Sequence, residues 1–118
     1  KSKKNTLFIL LLMVCVAMKL SAQTQREIND DAYNNYEKAD AELNLVYQQL
    51  MKKLDTNEKA LLTKAQKNWL EFRDAHCEFE AEENEGGSMQ PMVWAMCLED
   101  ITKTRINDLK QSINSRGL

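Results

Sequence analysis

The sequence predicts an all-α protein: three long helices in an antiparallel bundle with one disulfide, after a cleavable signal peptide. Three observations carry this. Apolar residues recur at three- and four-residue steps along the chain, two breaks at Asp55–Glu58 and Asn84–Ser88 divide it, and no strand-like alternation lasts long enough to compete.

The N-terminal segment has the order of an export signal. Lys1 to Thr6 is basic and free of acids, Leu7 to Met18 is almost wholly apolar, and Leu20-Ser21-Ala22 offers small residues for a peptidase. Cleavage is expected after Ala22. Crossing a bilayer takes about 20 apolar residues, more than this run supplies, so a removed signal is preferred to a retained anchor. Cys15 follows Leu12-Met13-Val14, a poor match to the small residues that precede a lipidated cysteine. The expected domains are a signal peptide at 1–22 and a helical domain at 23–118, periplasmic or secreted, without stable membrane insertion after processing and without a lipid anchor.

Helix one is expected from Thr24 to Leu54, a stretch without Gly or Pro. Its apolar or aromatic stripe is Ile28, Ala32, Tyr36, Ala39, Leu43, Val46, Tyr47, Leu50 and Leu54. Asp55-Thr56-Asn57-Glu58 breaks that stripe and supplies a new N-cap, with Glu58 three residues after Asp55 as in a capping box. Helix two carries Leu62, Ala65, Trp69, Phe72 and Cys77, then runs into Glu78, Glu80, Glu82, Glu83 and Glu85. Gly86 and Gly87 are expected to end it by supplying positive φ angles. Helix three tolerates Pro91 in its first turn, takes Ser88 or Gln90 as cap, and has an apolar side of Val93, Trp94, Cys97, Ile101, Leu109 and Ile113.

Cys77 and Cys97 survive processing, and export delivers them to an oxidising compartment where a disulfide is the default. Closing a loop of that length stabilises a fold by roughly 3 kcal/mol on the chain-entropy model. A redox pair or a metal site lacks support, because there is no Cys-x-x-Cys and His76 is the only histidine. The bond would clamp the hairpin of helices two and three around the glycine turn.

Loss of residues 1–22 removes four lysines and no acid, leaving 12 Lys and Arg against 18 Asp and Glu, a net charge of −6. An acidic domain argues against nucleic acid or an anionic membrane as partner and favours cationic ones. No cofactor, metal or catalytic group is expected. Acids are plentiful, but nothing sets two of them in a cleft for glycosidase chemistry. Ser88 or Ser112 with His76 lacks a nucleophile motif, and Gly86-Gly87-Ser88 lacks the lysine and strand of a phosphate loop.

The most distinctive run is Gln66 to Cys77. Gln66, Trp69 and Arg73 share one helix face, which serves either as a ligand platform or, the preferred reading, as internal scaffolding for an arginine bonded across the bundle. Asp40, Asn44 and Tyr47 share a face of helix one, from which Asp40 would meet Arg73 or Arg105 and fix the register. With Asp74 these residues form the expected structural polar network.

The combination of Ala39-Asp40, Leu43-Asn44, Tyr47, Gln66, Trp69, Arg73-Asp74, Cys77, Gly86-Gly87-Ser88, Cys97, Thr102, Arg105 and Leu109 resembles the LprI-type family of lysozyme-inhibitor-like domains, over about Asp30 to Ile113. The resemblance implies an exported, disulfide-bonded helical protein that binds rather than catalyses. Family members commonly carry further cysteines in helix one, whereas Glu27 to Glu37 has none, so that end is expected to be less restrained. Lysozymes are usually basic, and opposite charge speeds encounter. The expected partner surface is Glu82, Glu83, Glu85, Gly86, Gly87 and Ser88, the acids steering and Ser88 or the loop amides donating to carboxylates of the enzyme. The competing reading is a small-ligand or envelope-stress binding module centred on Trp69, Arg73 and Arg105.

Overall fold

In the computed structural model, which describes residues 2–117, three helices account for nearly the whole chain: α1 (Ser2–Met51), α2 (Thr56–Ala81) and α3 (Gln90–Ser115), with a short 3-10 turn at Glu82–Asn84 after α2. Successive helices run antiparallel, so α1 and α3 lie parallel with α2 reversed between them in sequence. The core is a cluster of Leu43, Val46, Leu50, Ile106 and Leu109, with Tyr47, Leu54, Leu62, Trp69 and Ile113 packed against it. Most of this cluster comes from α1 and α3, which make the largest interface of the bundle.

Helix one differs from its expected limits at both ends. It begins at Ser2 rather than near Thr24, because the signal-like segment is itself a good helix former and continues without a break. Fifty residues at 1.5 Å each give roughly 75 Å, most of the 84 Å long axis of the molecule. Residues from Leu7 to Leu20 project beyond the bundle with their apolar side chains exposed. By length and composition this helix is apolar enough to cross a membrane, which the count from Leu7 to Met18 alone did not suggest. Helix one ends at Met51 rather than Leu54, as the hydrogen bonds tighten from Gln48 O to Lys52 N into three-residue steps at Lys53 and Leu54.

Asp55 then restarts the chain. Its backbone is extended and its carboxylate accepts from the Glu58 N–H at 2.8 Å, satisfying one of the orphan donors of α2. The Glu58 carboxylate itself pairs with Arg116, tying the start of α2 to the end of α3.

At the other turn only Gly86 has positive φ (73°), not both glycines. Gly87 is small for a different reason: a Cβ there would sit 3.2 Å from the Asn84 carbonyl oxygen. Neither Ser88 nor Gln90 caps α3. The N-cap position is Met89, which offers no side-chain acceptor, and Pro91 in the first turn removes one of the donors a cap would serve. Cys77 and Cys97 are disulfide-bonded with their Cα atoms 5.5 Å apart, joining the last turns of α2 to the second turn of α3.

Candidate functional site

The buried face of α2 is half polar: Gln66 and Arg73 beside Cys77 and Ala81. Arg73 is only 5% exposed. Its Nη1 donates to Asp40 Oδ1 on α1 at 3.1 Å and to the buried Thr102 hydroxyl on α3 at 3.4 Å, while Nε donates to Asp74 at 2.9 Å. The guanidinium also lies 5.4 Å from the centre of the Tyr36 ring and 5.2 Å from that of Trp69. Burial alone would depress its pKa, but the bonds and charges of Asp74, Tyr36 and Asp40 outweigh that and raise it. Tyr36 is pushed up by burial, partly offset by the Arg73 charge.

Trp69 is also shared with Arg105, whose guanidinium carbon is 5.9 Å from its ring centre. Arg105 Nε donates to Gln66 Oε1 at 3.0 Å. Asp40, Gln66, Trp69, Arg73, Asp74 and Arg105 therefore meet at the junction of the three helices. Asn44 is exposed on α1 and stands outside the cluster. Tyr47 lies one step away, packed on the core with its hydroxyl 3.5 Å from the Thr63 hydroxyl. Sequence reasoning missed Tyr36 and Thr102 as partners of Arg73; both were visible only as members of longer patterns.

The second feature is electrostatic. Between Arg73 and Lys103 there is no Lys or Arg, but there are eight acids: Asp74, Glu78, Glu80, Glu82, Glu83, Glu85, Glu99 and Asp100. Because α2 ends and α3 begins within this span, the fold gathers them at one end of the bundle. Glu82 is held above the usual carboxylate range, first by a hydrogen bond shared with Glu85 and then by repulsion from its charge. Lys52, Lys53 and Lys59 lie at the opposite end, around the α1–α2 turn.

The glycine turn is braced from within. Gly86 N donates to Gln90 Oε1 at 3.3 Å and Gly87 N to Asn84 O at 2.9 Å. Those two loop amides are thus occupied, leaving the exposed Ser88 and the carboxylates of Glu82, Glu83 and Glu85 as the outward groups of the expected partner surface. Asn29 on α1 donates to the Ser88 carbonyl at 2.9 Å, and Tyr33 stacks on Trp94 with ring centres 6.2 Å apart. These contacts dock the cysteine-free stretch of α1 onto α3.

Two open grooves flank this end. One, of about 450 Å³, is lined by Glu78, Ala81, Glu82, Gln90, Pro91 and Trp94. The other, of about 350 Å³, is lined by Trp69, Phe72, His76, Asp100, Ile101 and Thr104. Of the residues of the competing ligand-platform reading, Trp69 lines the second groove, whereas Arg73 and Arg105 line neither of the two and are bonded to their own partners.

The family described as lysozyme inhibitor LprI matches residues 15–109. An uncharacterized protein of Rhizobium meliloti (strain 1021) is 32% identical, the match covering 90% of this chain and 93% of that protein. No solved structure matches. With most of its length matched, this chain belongs to the LprI lysozyme-inhibitor family.

Proposed function

We propose that this protein is an exported, non-enzymatic inhibitor that binds a lysozyme through the acidic end of its bundle. The observation that carries the reading is the span from residue 74 to residue 102, which holds eight acids and no Lys or Arg and folds around a disulfide-clamped turn; Asp74 and Glu99 pair with Arg73 and Lys103, while the other six have no Lys or Arg bridge among the described residues. Lysozymes are usually basic, and a concentrated field of opposite sign raises the encounter rate and selects against acidic partners. Glu82 and Glu85 lie close enough to share a hydrogen bond and to repel each other when both are charged, and a cation beside them offsets that repulsion. A clamped turn loses little freedom on binding, which favours affinity.

Export rests on the basic and then apolar N-terminal segment, with processing after Ala22 freeing the bundle in the periplasm or outside the cell. The test is lysis of peptidoglycan by lysozyme with excess purified protein at low salt. Lysis falls as protein is added, and the effect weakens as salt screens the charges. Unchanged lysis at low salt would overturn the reading.

A further inference from the structure

Phe72 and Phe79 are the two phenylalanines of the bundle, and both lie on its surface, 57% and 72% exposed. They stand seven residues apart on α2 with His76 between them. The His76 ring is 5.4 Å from that of Phe72, nearly parallel to it, and 6.4 Å from that of Phe79. The three rings form one strip along the flank of α2. The buried side of that helix is formed by Gln66, Arg73, Cys77 and Ala81, so the strip is not core, and its phenylalanines stay exposed, with α3 bordering only the groove at the Phe72 end. It opens at its lower end into the groove beside Trp69 and Ile101.

Exposed contiguous aromatic surface of this kind marks an interaction site, since its burial by a partner is favourable and rigid rings are the usual anchors of interfaces. The rim decides the partner. Glu80 lies 3.7 Å from His76, Glu83 borders Phe79, and Asp100 lines the groove. A second copy docking here would set these acids against their own kind, whereas a cationic surface meets them with opposite charge and can lay Lys or Arg over the ring faces.

We propose that the Phe72–His76–Phe79 strip is the anchoring surface by which this protein grips a cationic protein, with the acid rim steering it into place. This rests on the inhibitor reading and moves the principal contact from the glycine turn to the flank of α2.

Binding is measured by calorimetry at low salt with two probes, lysozyme and a basic protein of similar size without lytic activity, for the wild type, Phe79→Ser, Phe72→Ser/Phe79→Ser and, as a control on the exposed far end of α3, Gln111→Ala. The double variant loses at least about 30-fold in lysozyme affinity, Phe79→Ser part of that, and Gln111→Ala little. Helical circular dichroism and Tm stay as in the wild type, because the rings are exposed. If the wild type binds lysozyme and both Phe variants bind equally well, the strip is overturned while the inhibitor reading stands. If only the non-lytic protein binds, and does so through the phenylalanines, the strip stands and the inhibitor reading fails. Binding of neither probe overturns both.

Discussion

Arg73 Nη1 on α2 lies 3.1 Å from Asp40 Oδ1 on α1, and the arginine side chain is almost fully buried while the aspartate remains about one-third exposed. The pair spans the least extensive interface of the bundle, since α1 and α2 each pack chiefly on α3. Its asymmetry matters. Asp74 and the Thr102 hydroxyl also receive the guanidinium, so Arg73 has spare partners and Asp40 has spare solvent.

Arg73→Ala is therefore expected to cost about 3 kcal/mol, because it removes a buried cation with three polar partners and the packing of its stem between Tyr36 and Trp69. Asp40→Asn should cost only about 1 kcal/mol, since Asp74 still neutralises the arginine. Urea unfolding of the two variants and their double mutant measures both values. Equal costs would mean that Asp74 and Thr102 contribute nothing to holding Arg73.

The Cys77–Cys97 bond closes a separation of 20 residues. Replacing both cysteines with serine is expected to lower stability by about 3 kcal/mol while leaving the helical content of the fold intact. Denaturant titration of the oxidised protein, the reduced protein and the serine variant checks this. A midpoint shared by all three would show that α2 and α3 hold their turn without the crosslink.

The Asp55 cap predicts an acid-sensitive contribution. The Glu58 N–H, with help from the Asn57 N–H and Arg116, holds the Asp55 carboxyl below the usual aspartate range. A folded-state pKa below the unfolded value gives stability that is fully present above about pH 4 and fades as pH falls through the folded-state value. The Tm gap between wild type and Asp55→Ala should thus be widest near neutral pH and narrow toward pH 2. A gap that stays constant over this range would mean that the capping bond does not depend on the charge.

Much of the architecture follows from the order of residues alone. The restart at Asp55, the pairing of Cys77 with Cys97 and the apolar stripe through Leu43, Val46 and Leu50 are local or periodic properties, and helix geometry turns spacing directly into faces, whereas α2 ends at Ala81, earlier than the glycines that were expected to stop it. The same spacing left helix two ambiguous. Phe72 sits one step from Trp69 in the apolar pattern, yet it is exposed while Gln66 and Arg73 are buried. Periodicity fixes which residues share a side; the placement of α1 and α3 fixes which side is covered. Only that packing decided that Arg73, rather than Arg105, receives Asp40, that Asn44 faces solvent, and that Tyr36 and Thr102 complete the site. The reason is that such choices depend on the rotation of each helix about its axis, set by side-chain contacts between segments 29 to 39 residues apart.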